Sequence, residues 1–267
     1  MKYGEFVVTH IRRCLRRLLQ DSCRGLCLFC GSKESLYVQN PITGQTVKLP
    51  PCCQIENENL LFCRLVYIPQ NKVYKVICIC GTFENYSWHV LTFGVDTVWR
   101  KLDFVPTTGS EDKCTSATVG EVIYVAQSKS TILAIDLRTE TTCYYKVPNE
   151  FVDQDYSLVS MQDSLTCVIT RKDNVCIWML DFDKGEWTEV CEIKHICKRI
   201  KMPRHNIWAV GWLDNSHFVF KMKKLERSKR CPIVAYNVKT GEASIFGGNY
   251  GIHAHICRIH TNSLVSW

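Results

Sequence analysis

The sequence contains no uninterrupted apolar run that approaches the roughly 20 residues needed to cross a bilayer. Arg64 and Lys75 interrupt the best candidates. The first 20 residues also lack a continuous apolar core followed by a small-residue cleavage site, so we expect no secretory signal. These absences argue against a membrane partner and favour a cytoplasmic or nuclear protein.

Motifs of catalysis and nucleotide binding are missing too. The sequence has no G-x-S-x-G, H-E-x-x-H, G-x-x-x-x-G-K or G-x-G-x-x-G pattern. Gly (14) and Pro (8) are modest, and no segment is of low complexity. We therefore expect a folded domain that is not an enzyme, with no catalytic residues and no cofactor. An enzyme built on the same scaffold is the less favoured alternative.

What the chain does contain is enough apolar material for a large core. Its 267 residues are 46% hydrophobic. The net charge of +7 favours an ordinary solvated surface over nucleic-acid binding. Most of the 17 cysteines sit in apolar runs such as YKVICICG, which predicts reduced thiols that pack as small apolar side chains.

Two groups of cysteine and histidine have spacings that metals use. Cys27 and Cys30 form a Cys-x-x-Cys pair, but no second pair exists and a strand would put the two sulfurs on opposite faces. The segment 253–257 (HAHIC) with His260 is the sharper cluster, since imidazole and thiolate suit zinc. We favour a loop histidine run there and predict no metal site.

Residues 5–20 have the spacing of an amphipathic helix. Apolar residues recur three and four apart, with arginines on the other side. We expect a basic helix over residues 1–20, packed on a domain that spans residues 21–267. A remnant of a longer upstream region and a targeting or membrane-surface helix are the alternatives.

From Cys23 onward the apolar period changes to two, and one hairpin pattern recurs five times. Each copy has an apolar strand, a polar turn and a second strand. The copies are SLYVQNPITGQTVKLPP, WHVLTFGVDTVWRKL, TILAIDLRTETTCYYKVP, VCIWMLDFDKGEWTEV and CPIVAYNVKTGEASIFGG. A further short apolar strand precedes each copy, as in GEVIYVAQ.

The spacing of these hairpins predicts a β-propeller. Their turns are 42 to 56 residues apart, which is the length of a four-stranded blade. Segments 52–73 and 191–215 are left for further strands or loops, so the number of blades stays open. We expect Trp99, Trp178 and Trp187 to fill the gaps between blades as structural positions of the repeat. A twisted β-sandwich is the alternative fold.

The motifs resemble those of a known family in the family's own order. DSCRGLCLF, QNPITGQTVKLPP, YKVICI, VLTFGVDTVWRKL, GEVIYVA, ILAIDLRTE, VCIWMLDFDKGEWTEV and HTNSLVSW are similar to segments of the plant F-box associated domain of the β-propeller kind, type 3. The resemblance covers roughly residues 21–267. It implies a kelch-like propeller that captures a protein substrate for an SCF-type, cullin-based ubiquitin ligase.

The resemblance has one gap. Family members carry an F-box before this domain, and residues 1–20 do not resemble one. The expected partners are therefore a protein substrate and, indirectly, the cullin ligase adaptor. A decoy or truncated substrate binder that is uncoupled from ubiquitination is the alternative.

Loop position and residue type nominate six partner-binding residues. Aromatic and arginine side chains are the usual anchors of protein interfaces. The candidates are Tyr86, Arg204, His205, Trp212, Tyr250 and His253. A basic segment at 221–230 (KMKKLERSKR) reads as a solvated hairpin loop, with nuclear import or an acidic partner as alternatives.

Overall fold

The computed structural model describes residues 18–52, 59–82, 86–103, 115–152, 154–161, 163–171, 174–199, 205–224 and 232–246. These residues form five antiparallel sheets of four strands each. In every sheet, hydrogen-bonded neighbours follow chain order from the first strand to the fourth. This is a five-bladed β-propeller, which confirms the predicted all-β class and propeller fold.

The blades are lettered A to E in chain order. The first two consist of β1 (Leu18–Cys23), β2 (Leu26–Cys30), β3 (Leu36–Gln39), β4 (Thr46–Lys48), β5 (Asn59–Ile68), β6 (Val73–Gly81), β7 (Tyr86–Thr92) and β8 (Arg100–Lys101). The other three consist of β9 (Ser116–Val119), β10 (Val122–Ala126), β11 (Thr131–Asp136), β12 (Thr141–Lys146), β13 (Tyr156–Met161), β14 (Ser164–Arg171), β15 (Asn174–Asp181), β16 (Glu186–Ile193), β17 (His205–Trp212), β18 (His217–Lys224), β19 (Ile233–Asn237) and β20 (Ala243–Phe246).

The first strand of each blade lies nearest the axis. β1 packs beside β5, and β13 packs beside both β9 and β17. Within the described part of the chain, helix is confined to α1 (Ile196–Arg199) and two short 3-10 turns at Ser32–Glu34 and Asn149–Phe151. In that same part, no helix has the length and apolarity to span a membrane.

The core consists of layers between blades rather than a single centre. Each of four clusters of buried apolar side chains is shared by two adjacent blades, A with B, B with C, C with D and D with E. Leu28 of blade A and Val76 of blade B, for example, are both fully buried in one of these clusters. A single sheet cannot bury both of its faces, so every blade depends on its neighbours for a core.

The predicted N-terminal helix differs from the structure at its end. Leu18, Leu19 and Gln20 lie in β1, as strand. β1 pairs with β2 and places Asp21 against blade B, so the need to complete the sheet overrides the local helical pattern. The rest of the predicted helix lies outside the described residues.

Candidate protein-binding face

The propeller has two ends with different connections. One end carries the turns between the first and second strands (inner turns) and between the third and fourth strands (outer turns), and we call it the turn face. The other, the linker face, carries the remaining turns and the connections between blades. Side-chain contacts agree with this division, since Lys75 after an inner turn donates to Leu137 O in the next blade's outer turn at 2.7 Å.

The outer turns of four blades are built in the same way. A carboxylate or amide oxygen at the end of the third strand accepts hydrogen bonds from the backbone N–H groups two and three residues later. These acceptors are Asn40, Asp136, Asp181 and Asn237, with N···O distances from 2.7 to 3.2 Å. Such closed local bonding fixes the direction in which each turn tip projects.

The outer turn of blade B follows a different plan. Asp96 reaches back and accepts from Thr92 N at 2.6 Å, while its own backbone N–H donates to Thr92 O. Gly94 adopts a φ of +77°, which L side chains rarely adopt. This turn is longer than the other four outer turns, and it exposes the apolar side chains of Val95 and Val98.

Large apolar side chains are exposed at the tips of three outer turns. They are Ile42 in blade A, Val95 and Val98 in blade B, and Phe182 in blade D, with 48%, 67%, 66% and 37% of their surface exposed. Phe182 stacks on Tyr124 of blade C, with ring centroids 5.8 Å apart, and meets Tyr145 edge-on at 6.2 Å. A protein that leaves such residues together at one end has a candidate contact surface there.

A charged network joins blades B and C on this face. Glu140 of the blade C outer turn forms a bidentate ion pair with Arg100 of blade B, and Lys75 lies 3.4 Å from the same carboxylate. The hydrogen bonds from Arg100 lower the pKa of Glu140, with smaller help from the charge of Lys75. Glu140 also holds a φ of +56°, at the position where Gly44 and Gly185 stand in blades A and D.

The exposed charges of the turn face are unevenly distributed. Blades A and B present mainly cations, Arg24, Lys72, Arg100 and Lys101. Blades D and E present mainly carboxylates, Asp163, Asp183, Glu186, Asp214 and Glu242, beside Lys184 and Lys239. Such a division can orient a partner of opposite charge pattern.

One of these carboxylates is held ionised by its own turn. Burial opposes the charge of Asp214, but hydrogen bonds from Ser216 and His217 outweigh burial and lower the pKa of Asp214 to about 2. Its carboxylate lies 2.8 Å from Nδ1 of His217. The carboxylate of this turn therefore stays negative at physiological pH.

The three tryptophans assigned to the repeat all lie at boundaries between blades. Trp99 donates its indole N–H to Pro50 O of blade A at 2.9 Å, and Trp187 donates to Lys146 O of blade C at 2.8 Å. Each bond joins a fourth strand to the end of the preceding blade's fourth strand. Trp178 packs edge-on against Phe151, whose segment connects blades C and D.

Of the six residues predicted to bind a partner, three lie in the described part of the chain, and these three do not form one exposed surface. Tyr86 and Trp212 are each only 7% exposed and pack in the B–C and D–E cores, where they offer little surface to a partner. His205 begins β17 at the linker face. Arg204, Tyr250 and His253 lie outside the described residues. Partner contact by these six residues stays a prediction.

The cysteines and the metal-like groups give no site in the described residues. Cys27 is buried and Cys30 half-buried, and neither forms a disulfide. Burial, the largest contribution, raises the pKa of each to about 11, which disfavours the thiolate that a metal needs. Among the described residues, no three Cys, His, Asp or Glu side chains converge to hold an ion. The cluster at 253–260 and residues 225–230 of the basic segment lie outside them.

The apolar turn tips had only a weak signal in the sequence. Ile42, Val95, Val98 and Phe182 each stand inside a polar turn, where an apolar residue has no strand partner. The hairpin pattern located those turns correctly. That they share one end of the molecule requires the antiparallel order of every blade.

Comparison with known proteins agrees with this architecture. A family model described as the F-box associated beta propeller domain matches residues 5–261. An F-box/LRR-repeat protein of Arabidopsis thaliana is 26% identical over 79% of this chain and 57% of its own length. An F-box/kelch-repeat protein of the same plant is 30% identical over 43% of this chain and 30% of its own length. The chain thus covers little more than half of the first relative.

A solved structure shares the fold at low sequence identity. The putative TolB from Agrobacterium tumefaciens aligns with a TM-score of 0.54 at 10% identity, over 86% of this chain and 80% of that one. At this identity the likeness shows the fold alone.

Proposed function

Because this chain belongs to the F-box associated beta propeller domain family, we propose that it is a protein-recognition module. It captures a protein substrate for an SCF-type, cullin-based ubiquitin ligase, and it acts by binding and not by catalysis. The relatives that it matches are named as F-box proteins, which supports this assignment. No cofactor is required for such a role.

The turn face is the surface through which the substrate binds. The observation that carries this assignment is the exposure of Ile42, Val95, Val98 and Phe182 on turns of fixed geometry. Rigid apolar anchors lose little conformational entropy when a partner covers them. A few well-buried anchor residues supply most of the binding energy in protein interfaces, about 2 kcal/mol or more each.

Charge gives the interface its orientation. The cations of blades A and B and the carboxylates of blades D and E flank the apolar tips. A substrate with an acidic region and a basic region on either side of an apolar segment fits this pattern. Its association rate should fall as salt rises, since salt screens exposed charges.

The test is affinity purification of the tagged 267-residue chain from plant cells, compared with two variants. The turn-tip variant combines Ile42→Ser, Val95→Ser, Val98→Ser and Phe182→Ser. The control variant combines Tyr144→Ser and Ile245→Ser, which are equally exposed but lie on fourth strands. We expect the turn-tip variant to lose substrates that the wild type and the control retain. Equal recovery by all three would reject the turn face.

The cullin ligase adaptor is quantified in the same purifications. Its enrichment with the wild-type chain supports the receptor role. Specific partners without adaptor would favour the decoy alternative, in which the chain binds a substrate and shields it from ubiquitination.

The six residues predicted from the sequence to bind a partner define a competing set. A variant with Tyr86→Phe, Arg204→Ala, His205→Ala, Trp212→Phe, Tyr250→Ala and His253→Ala removes their functional groups while it limits damage to the two buried aromatics. If this variant loses the substrates and the turn-tip variant keeps them, the residues predicted from the sequence bind the substrate and the turn tips do not.

A further inference from the structure

Arg64 is a charged residue in an unusual place. It lies in the middle of β5, the first strand of blade B, and only 9% of its surface is exposed. Along β5, Phe62 and Val66 on either side of it belong to the core shared by blades B and C. By the alternation of strand side chains, Arg64 points to that same boundary, beside the axis.

Among the described residues, the contacts of its guanidinium are to neutral groups. Nη1 donates to Cys63 O at 3.1 Å, and Nη2 donates to Ser116 Oγ of blade C at 2.5 Å. The guanidinium also lies over the ring of Phe62, 4.6 Å from its centroid. Within the described part of the chain, no carboxylate lies within ion-pair distance of Arg64, whereas Arg100 and Arg138 have Glu140 and Glu121.

An unpaired buried cation is costly. Arginine is rarely buried without a carboxylate, because desolvation of the charge must be offset by a partner of opposite sign. A hydrogen bond to a carbonyl and a ring face offset it only in part. A well-packed apolar side chain of similar size would serve the boundary equally well or better. Within the described part of the chain, the charge is therefore not compensated by a carboxylate.

We propose that Arg64 and Ser116 form a binding site for a small oxyanion, a carboxylate or a phosphate group, at the inner edge of the boundary between blades B and C. Arg64 has donors beyond the two in use, and their fork geometry matches such a group. Ser116 accepts from Arg64, so its hydroxyl hydrogen is available to the same anion. Ser116 is half-buried at the start of β9, which is the linker-face end of that strand.

This site is separate from the turn face, and its test needs no protein partner. The thermal unfolding of the 267-residue chain is measured in sodium phosphate, sodium acetate and sodium chloride at equal ionic strength and pH. We expect a saturable rise of a few degrees in Tm with the bound anion relative to chloride. A rise in phosphate alone identifies a phosphate site, and a rise in both anions identifies a carboxylate-accepting site.

Two variants assign the effect. Arg64→Met should keep its Tm in chloride, or gain, and should lose the anion-dependent rise. Arg171→Met removes an arginine that binds Gln154 and Glu150 on the linker face, and should keep the rise. Arg64→Lys, which keeps the charge but not the fork, should reduce the rise and serves if the Met variant does not fold.

The outcomes that overturn the proposal are plain. An equal rise in wild type and in the Arg64 variants would mean nonspecific anion effects. If the Tm of the wild type does not rise at the highest phosphate or acetate concentration, Arg64 is a structural residue only. The same conclusion follows if Arg64→Met loses much of its stability in chloride. None of these three outcomes affects the proposed substrate role of the turn face.

Discussion

Glu140 combines two features that oppose each other. Its backbone takes the left-handed conformation that Gly44 and Gly185 take in blades A and D, which costs roughly 1 kcal/mol for a side chain other than glycine. In exchange, its carboxylate joins Arg100 and Lys75 of the neighbouring blade. Glu140 therefore stabilises the connection between blades B and C at the expense of strain in its own turn.

Substitution can separate these two features. Glu140→Gln keeps the backbone strain and loses the ion pairs, and should lower the free energy of unfolding by about 1 kcal/mol at pH 7. Glu140→Gly loses the same pairs but relieves the strain, so it should be less destabilised than the Gln variant. Urea unfolding at pH 7 measures both. Glu189→Gln, on the exposed part of β16, is the control and should have little effect.

The same variant has a predictable pH dependence. The pKa of Glu140 is lowered in the folded state, so the stabilisation it provides is fully present above the unfolded-state pKa of about 4.3 and is lost as pH falls through the folded-state pKa. The difference between wild type and Glu140→Gln should shrink below pH 4 and then vanish. A difference that is constant from pH 7 to pH 3 would contradict the ion-pair account.

Trp187 provides a second connection between blades. Its indole N–H satisfies Lys146 O across the C–D boundary. Trp187→Phe keeps an aromatic ring but removes the donor, and should cost about 1 to 2 kcal/mol, since the carbonyl loses its partner and some packing is lost. Chemical denaturation checks the value. Trp208→Phe is a suitable control, because Trp208 is 43% exposed and should cost much less.

At the scale of the element, the outer turns of blades A, D and E depend on glycine where the chain turns back into the fourth strand. Gly185 has a φ of +69°, and a Cβ added there would contact nothing within 4 Å. Gly185→Ala should therefore cost about 1 kcal/mol through backbone strain alone. Gly185→Asn should cost less, because asparagine tolerates this conformation. Equal losses in both would indicate a steric effect that the open surroundings do not predict.

The third and fourth strands were predictable from the sequence, and the first strands were not. The outer hairpins combine period-two alternation with a turn whose Asp or Asn closes on its own backbone, as at Asp181, so local chemistry alone defines them. β1 mixes polar residues such as Asp21 with apolar ones, because it lies near the axis and packs beside β5, where Asp21 accepts from Leu65 N. β5 and β17 lie in segments 52–73 and 191–215, whose sequence is compatible with either strands or loops.

At the scale of the molecule, the candidate site follows from how the blades are arranged. Loop position and residue type nominate Tyr86 and Trp212, and both are buried in cores shared by two blades. Whether an aromatic residue near a turn faces solvent depends on the neighbouring blade, which is distant in sequence. The apolar tips gather at one end only because every blade begins at the axis with the same orientation.

Shared cores also determine how the molecule should unfold. Each described blade buries its faces against its neighbours, so loss of one blade exposes the core of the next. We therefore expect the described blades to unfold as one cooperative unit, although the chain is a repeat. Phe220→Leu, a fully buried change in the D–E core, should cost about 1 to 3 kcal/mol.

Hydrogen exchange measures how far the loss of stability caused by Phe220→Leu spreads through the propeller. If unfolding is cooperative, the most protected amides of β6 in blade B should lose the same free energy of protection as those of β18 in blade E, where the substitution lies. Ile245→Ala, at an exposed position of the same blade, should leave both unchanged. Loss confined to blades D and E would mean that the blades open separately. If the blades instead unfold together, no blade can adjust to a partner alone. A partner on the turn face then binds a single rigid surface.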